Sequence, residues 1–559
     1  MKKIMRTLKV TLITSFFLII VSGCSETWLD ENTPHLITTE SFYTDLNGFE
    51  SGLNGLYSLV RVQYEEGWGG YSMLKSFFIG GTDNVTPNHY TGRGYSNLTA
   101  DWGAVNNPHL QDYASGWAWL YSIVNAANTI INRAESDSNI DWRGGDALPD
   151  ENKNRVIAEA KLFRAWAYRH LVYGWGDVPI SLIESGEIIR TDWERAPSIE
   201  VKKQIISDLL FAEKYIPVRP SIRGKTTKGV SQHYLAEMYL VLNKPDSALI
   251  WADKAINTPE YSLITNRYGV NKDLPGVTIM DMFREGNENY DQGNTEALWV
   301  IQFAKETVGG SGSRLIRWAG SRFDAWVING VRPWTMTYER GGRGQSRQSL
   351  TKWALESYEP QDDRASIHAI RWYFILNDAE ANAPYAADKL PPGYNYGDTI
   401  YLDSSGDITR ENNSRNNWPF SRKLEGSDPD NPSSGYQFND HVYLRLANTY
   451  LLKAEAEFKL GLTTEAANTI NTIRRRSNAS IISPSQLDMD FILDERSREL
   501  VLEEDRRWHL LRTGKWLERL RKYNKNGGQN AAARDTIWPI PQIVIDANLT
   551  RTMSQNPGF

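Results

Sequence analysis

Cysteine is almost missing from this chain, with one residue, Cys24, in 559. A lone cysteine cannot close a disulfide within its own chain, and it rules out metal sites built from several thiolates. After the first 23 residues there is no apolar run of about 20, so no later segment reads as a membrane-spanning helix. Basic residues are not in excess. Lys and Arg number 62 against 68 Asp and Glu, for a net charge of −6, which argues against nucleic acid as a partner. No long Ser/Pro/Gly run or charge block divides the chain. The Pro- and Asn-rich stretch near 378–440 reads as long loops.

Enzyme signatures are also missing. Gly224-Lys225-Thr226 lacks the earlier glycine of a phosphate loop, because Arg219 stands there. Residues 309–313, GGSGS, lack the closing glycine of a nucleophile elbow. The eight histidines are scattered, with no HExxH and no close pair for zinc. Asp428 and Asp430 suggest a calcium loop, but the prolines beside them point to a turn. No metal or cofactor is expected, and catalysis is not the expected function. With 68 acids in the chain, a glycosidase dyad is not excluded by inspection.

The N-terminus is informative. Lys2, Lys3, Arg6 and Lys9 precede an apolar or small stretch from Val10 to Val21, which is the layout of a secretory signal. Removing residues 1–23 takes away four positive charges and no acid, so the net charge becomes −10. Cys24 follows directly. A free thiol near a terminus is one reading. The other is a lipid anchor, since Val21-Ser22-Gly23-Cys24 resembles a bacterial lipobox, whose cysteine becomes an acylated N-terminus. Each buried CH₂ contributes about 0.8 kcal/mol, so several chains hold a domain on a membrane where one does not. Residues 24–40 then form the lipidated cysteine and its tether. Glu26, Asp30 and Glu31 resemble the export signals of surface-exposed lipoproteins in Bacteroidetes.

Helical periodicity dominates the rest. Phe49, Leu53, Leu56, Tyr57 and Val60 share one face, as do Trp117, Leu120, Tyr121, Val124 and Ile131. Ile157, Ala160, Leu162, Phe163, Ala167 and Leu171 form a broad stripe, and Gly174, Gly176 and Pro179 are expected to end that helix. Residues 229–257 and 445–477 each read as a helix–turn–helix unit of tetratricopeptide type, with small residues such as Ala236, Ala252, Ala456 and Ala467 at the interfaces. They lie about 200 residues apart, so the chain is no simple tandem array. Strand signals are few, and 296–303, EALWVIQF, is a short strand or an extended segment. The fold class is mainly α, a single domain of tetratricopeptide-like helix pairs with long irregular loops and few short strands.

Four segments carry a family resemblance. Residues 493–516 (LDERSRELVLEEDRRWHLLRTGKW), 537–550 (IWPIPQIVIDANLT) and the terminal QNPGF resemble the C-terminal signature of the SusD/RagB family, and 159–180 resembles its central one. The resemblance implies a mostly helical domain over 41–559, with an N-terminal part to about 225 and a C-terminal signature part from about 275. It also implies an outer-membrane lipoprotein that binds oligo- or polysaccharide and delivers it to a SusC-like TonB-dependent outer-membrane transporter. From spacing alone, the C-terminal signature is a structural helix whose pairs Asp494/Arg498, Glu503/Arg507 and Glu504/Arg507 are worth a few tenths of a kcal/mol each.

A glycan site needs flat rings for the C–H face of a sugar and short polar groups for its hydroxyl rim. Twenty Trp and 27 Tyr are available. Most are core, because burial is the commonest use of large rings. Two stretches without helical period combine aromatics with polar residues and glycine. Residues 80–102 offer Asp83, Asn88, Tyr90, Arg93, Tyr95 and Trp102. Residues 314–344 offer Trp318, Trp326, Arg332, Trp334 and Tyr338. An acidic polysaccharide wants a cationic site, and Arg93, Arg332, Arg340 and Arg343 lie near these loops. The rival readings are a peptide- or protein-binding scaffold on the same membrane, with Asn, Lys and Arg along a concave helical face, and a surface hydrolase.

Overall fold

The structure is a computed structural model that describes residues 39–65, 73–89, 94–136, 138–186, 189–378, 387–412 and 414–559. Cys24, the signal segment and nearly all of the tether lie outside the described residues, as do Tyr90 and Arg93. The early periodic segments are helices: α1 (Leu46–Arg61), α2 (Gln111–Ser136) and α3 (Pro149–Trp175). Asp45 caps α1 by accepting a hydrogen bond from the Gly48 N–H at 2.9 Å. On α3 the apolar stripe widens until almost every residue from Val156 to Val172 is buried, Glu159, Arg164, Arg169 and His170 included. That helix ends at Gly176, whose φ of 72° suits glycine. Gly174 does not end it. A Cβ there would stand 2.6 Å from the Trp538 ring, so glycine is needed for close approach within the helix.

Helix α4 (Ser198–Tyr215) packs on α3 and is followed by α5 (Lys228–Val241) and α6 (Pro245–Ile256). Pro245 starts α6 as the first helical residue, where its missing N–H is no loss. The second pair is α7 (Leu446–Lys459) with α8 (Thr463–Arg476). The two pairs meet in space, because α6 packs on α7. Ala236, Leu240, Ala248, Ala252, Leu452 and Ala456 form one apolar cluster at that junction, and the alanines let the helices approach closely. The helical run α1–α8 is therefore continuous in space although about 190 residues are inserted within it.

The C-terminal signature contributes α9 (Met489–Leu500), α10 (Arg506–Arg512), α11 (Trp516–Tyr523) and the short helix Gln542–Asp546. Strands are short, and among the described residues all pair antiparallel in twos. They are β1 (Val85–Pro87) with β3 (Gln348–Leu350), β2 (Ala297–Ile301) with β8 (His441–Arg445), β4 (Ile370–Arg371) with β7 (Phe420–Ser421), and β5 (Tyr373–Ile375) with β6 (Thr399–Tyr401). The 296–303 segment is thus a strand. All five residues of β2 are buried, which is why its alternation is weak in sequence. One hydrophobic cluster runs from Leu46 to Met553.

The C-terminal signature differs from the exposed helix that spacing suggests. Helix α9 stops at Leu500, and Leu502 takes a left-handed φ of 64°. Glu503, Glu504 and Arg507 therefore never share a helix, and the local pairs give way to buried tertiary ones. Glu499 accepts from Arg445 (2.6 Å), Arg364 (3.0 Å) and Arg476. Glu503 accepts from Arg445 and Lys423, both at 2.6 Å. Glu495 is bound by Arg364 (2.8 Å), Arg474 (2.7 Å) and Arg498 (2.9 Å). Asp494 turns to Arg519, and Arg496 holds Glu504. Removing one partner from such a buried set costs roughly 3–5 kcal/mol, because an uncompensated charge stays behind.

Burial works to raise the Glu495 carboxyl, but Arg364, Arg498 and Arg474 override it and hold it at about 2, against an ordinary 4.5. A depressed carboxylate contributes stability above its unfolded pKa and loses it as pH falls toward the folded one. Denaturant unfolding at stepped pH is therefore expected to show stability falling between about pH 4.5 and pH 2. Glu495→Gln is expected to lower stability at pH 7 and to flatten that slope. An unchanged slope in the variant would exclude Glu495 as a source of the acid lability.

Candidate functional site

The two aromatic stretches are not the free loops that their missing period suggests. Residues 80–102 hold β1 and two short helical segments, Gly94–Ala100 and the start of Trp102–Val105, too brief to show a repeat. Asp83 is fully buried, bridging Arg506 (2.8 and 2.6 Å) and Arg519 (2.7 Å). Asn88 is buried against Ser349 at 3.1 Å. Tyr95 packs on Phe77 with ring centroids 4.7 Å apart. Trp102 meets Trp516 edge-on at 5.2 Å and carries the Arg507 guanidinium over its ring at 5.0 Å. Trp318, on the short helix Leu315–Ala319, and Trp334, against Phe374 at 5.2 Å, are buried as well. None of these six side chains presents a face to solvent, so none is a surface sugar platform. Their rings and polar heads are taken up by the core and by buried ion pairs.

Three proposed residues do reach the surface. Trp326 is half-buried and tilted against Trp334, Arg332 is exposed, and Tyr338 is half-buried with its hydroxyl donating to Glu285. Tyr338 lines a cavity of about 280 Å³ with Arg284, Arg422 and Asn439. Arg340 is committed to Asp388 at 2.8 Å. Asp428 and Asp430 close on the Lys305 ammonium, and Asp430 N–H donates to Asp428 at 3.0 Å within a turn. The lysine thus occupies the position a cation would take.

What these segments assemble instead is a half-buried group of arginines. Arg322 donates its backbone N–H to the Arg415 carbonyl at 2.8 Å. Arg415 Nη2 donates to Gln345 Oε1 at 2.9 Å, and Gln345 N–H donates to the Arg317 carbonyl at 2.8 Å. The Arg347 guanidinium lies 4.9 Å over the Trp318 ring, and its carbonyl accepts from Asn88 N–H at 3.2 Å. That bond carries His89 into the group. Burial, then the charges of Arg415, Arg347 and Arg322, lower the His89 pKa to about 4, so the imidazole is neutral at pH 7. Burial and Arg322 bring Arg415 down to about 10. Asp324 acts on the Arg415 charge and also faces Arg343 at 3.8 Å. Half-buried Trp326 stands four residues beyond Arg322. The arginine side chains here are hydrogen-bond donors beside flat rings, which suits a ligand rich in oxygen acceptors.

Sequence reasoning missed Arg317, Arg322, Arg347 and Arg415. A signal was present, since residues 314–347 contain seven arginines and two acids in a chain that is acidic overall. A second concavity, about 420 Å³, is lined by Trp117, Tyr121, Trp193 and Ile543, but Arg190 stacks on Trp193 at 4.1 Å and covers that ring.

The cluster joins two parts of the chain, and each part matches a family description. Residues 295–559 match the SusD family, and residues 73–240 match a family described as starch-binding and associating with the outer membrane. The chain belongs to the SusD/RagB family. SusD-like protein P25 of Formosa agariphila is 26% identical over 532 residues, 90% of this chain and 89% of that one. The starch-binding protein SusD of Bacteroides thetaiotaomicron is 35% identical over 128 residues, 22% of each chain. Surface glycan-binding protein A of Bacteroides thetaiotaomicron, solved with laminarihexaose, superposes with a TM-score of 0.66 at 20% identity, over 92% of this chain and all of that one. This last likeness is one of fold. In the present SusD-family chain the shared fold brings His89 from the first matched region against Arg322, Arg347 and Arg415 from the second.

Trp102→Ala empties a packed core site and is expected to cost about 3–5 kcal/mol in denaturant unfolding. Trp326→Ala, at a half-exposed site, is expected to cost less than about 1.5 kcal/mol. Equal losses in the two variants would contradict this division between core and surface aromatics.

Proposed function

We propose that this SusD-family protein is a cell-surface glycan-binding lipoprotein that captures oligo- or polysaccharide and passes it to a SusC-like TonB-dependent outer-membrane transporter, without chemistry of its own. One observation carries the reading. The two segments matching family descriptions converge on a solvent-facing group of donors, His89, Arg322, Arg347 and Arg415, with Trp326 nearby. Sugars present many oxygen acceptors and a C–H face, so donors flanked by a ring are what their recognition requires.

In this reading residues 1–23 are the export signal, Cys24 carries the lipid, residues 25–40 form the tether, and 41–559 form the binding domain. Family membership and the match of 73–240 to an outer-membrane-associated family support the location. No helix among the described residues is long and apolar enough to cross a membrane, so attachment through Cys24 suits this chain.

Calorimetry of the protein lacking residues 1–24 against a glycan panel is expected to find at least one binder. Trp326→Ala should weaken that binder by about tenfold, the loss of roughly one stacking contact. A panel without any binder would refute the glycan reading. Cys24→Ala is expected to move the full-length protein from the membrane fraction to the soluble one and to abolish labelling by radioactive palmitate. Unchanged labelling would refute the anchor.

A further inference from the structure

We propose that the cavity walled by Arg284 and Tyr338 is a subsite for one uncharged sugar unit, sharing no residue with the group at His89, Arg322, Arg347 and Arg415. The subsite rests on the glycan reading above and adds to it a second place of contact and a charge class.

The first ground is a guanidinium without a partner. Arg284 is half-buried on the wall of a cavity of about 280 Å³. Its side chain makes no hydrogen bond or ion pair among the described residues. The carboxylates that act on its charge are held by other arginines. Glu425 accepts from Arg371 and Arg422, both at 2.8 Å, and Asp281 accepts from Arg267 at 2.7 Å. Burial and the nearby Arg422 charge lower the Arg284 pKa. Five N–H donors of a half-buried guanidinium are thus left to water or to a ligand in the cavity.

The second ground is that the wall is built from contacts that leave Arg284 out. Arg371 donates from Nε to Glu425 at 2.8 Å and from Nη2 to the Glu339 carbonyl at 3.1 Å. One arginine thereby ties the turn at 338–341 to Glu425. Gly341, at a left-handed φ of 79°, closes that turn by donating its N–H to the Tyr338 carbonyl at 2.9 Å. A Cβ at Gly341 would stand 2.7 Å from Glu425 Cγ, so glycine lets the turn settle on the carboxylate and fixes Tyr338 at the cavity.

The third ground is the chemistry of the lining. Arg284 and Arg422 line the cavity together with Glu285 and Glu339, and the Tyr338 hydroxyl donates to Glu285. An anionic ligand would meet the two carboxylates, and a cationic one the two guanidinium groups. A sugar hydroxyl donates and accepts at once, so an uncharged sugar suits both kinds of group. Met280, Phe283 and the Tyr338 ring supply apolar wall for its C–H face. At about 280 Å³ the cavity falls just under the roughly 300–1,000 Å³ of sites for drug-sized ligands, so it takes one unit of a glycan, at a chain end or a branch.

The test is saturation-transfer NMR of the protein lacking residues 1–24 with glucose, galactose, mannose, glucuronate and glucosamine. At least one of the neutral hexoses should bind, and the two charged sugars should bind more weakly. Arg284→Gln and, separately, Tyr338→Ala should each weaken that hexose by about tenfold or more. The melting temperature of Arg284→Gln should stay unchanged, because no internal partner is lost. Undiminished hexose binding by either variant overturns the assigned cavity. Tighter binding of glucuronate or glucosamine than of every neutral hexose overturns the uncharged class. Binding of none of the five overturns the subsite, while a binder in the polysaccharide panel would leave the glycan reading standing.

Discussion

The structure depends on a set of carboxylates and guanidinium groups that are out of water and must satisfy one another. Its hub is the segment 494–512. Glu499 and Glu503 bind Arg445 at the end of β8. Glu495 binds Arg364 and Arg474. Asp505 accepts from Lys75 at 2.8 Å and Arg169 at 2.9 Å, and Arg169 also grips Glu237 on α5. Arg506 reaches Asp83, and Arg512 reaches Glu455 on α7. Almost every residue of this short stretch therefore ties down a different region. Such groups do not tolerate loss of one partner, which couples segments hundreds of residues apart into one folding unit.

That coupling also shapes the candidate site. Asp83 is pinned by Arg506 and Arg519, and this fixes the segment leading to His89. β1 pairs with β3 immediately after Arg347, so the register of this two-stranded sheet sets the distance between His89 and Arg347. The arginine cluster rests on a scaffold of buried ion pairs and buried rings, Trp318 among them. The aromatic residues of the two stretches support the binding surface from beneath more than they form it.

The aromatic C-terminus closes the other end of the molecule. Trp538 meets Trp508 at 5.2 Å and Trp175 at 5.0 Å, and Asn556 donates to the backbone carbonyls of Trp175 and Trp538. The terminal QNPGF thereby locks onto the end of α3. Gly174 is helical because the Trp538 ring lies on it, a contact with no trace in the local sequence around residue 174.

Sequence alone determined the helices, their paired arrangement and the mainly α class. Periodicities such as Phe49-Leu53-Leu56-Val60, and Pro245 at the start of α6, are local properties of the chain. The residues of the C-terminal signature likewise carried the family. Tertiary structure decided which polar and aromatic residues face water. Trp102 and Trp326 sit in similar composition, yet one packs against Trp516 and Arg507 while the other reaches the surface. Glu503 and Arg507 stand four apart, but the turn at Leu502 sends them to different partners. The arginine cluster belongs to the same level. Its members lie at positions 322, 347 and 415, and only the packing of non-adjacent segments, through contacts such as the Arg322–Arg415 backbone bond, brings them together.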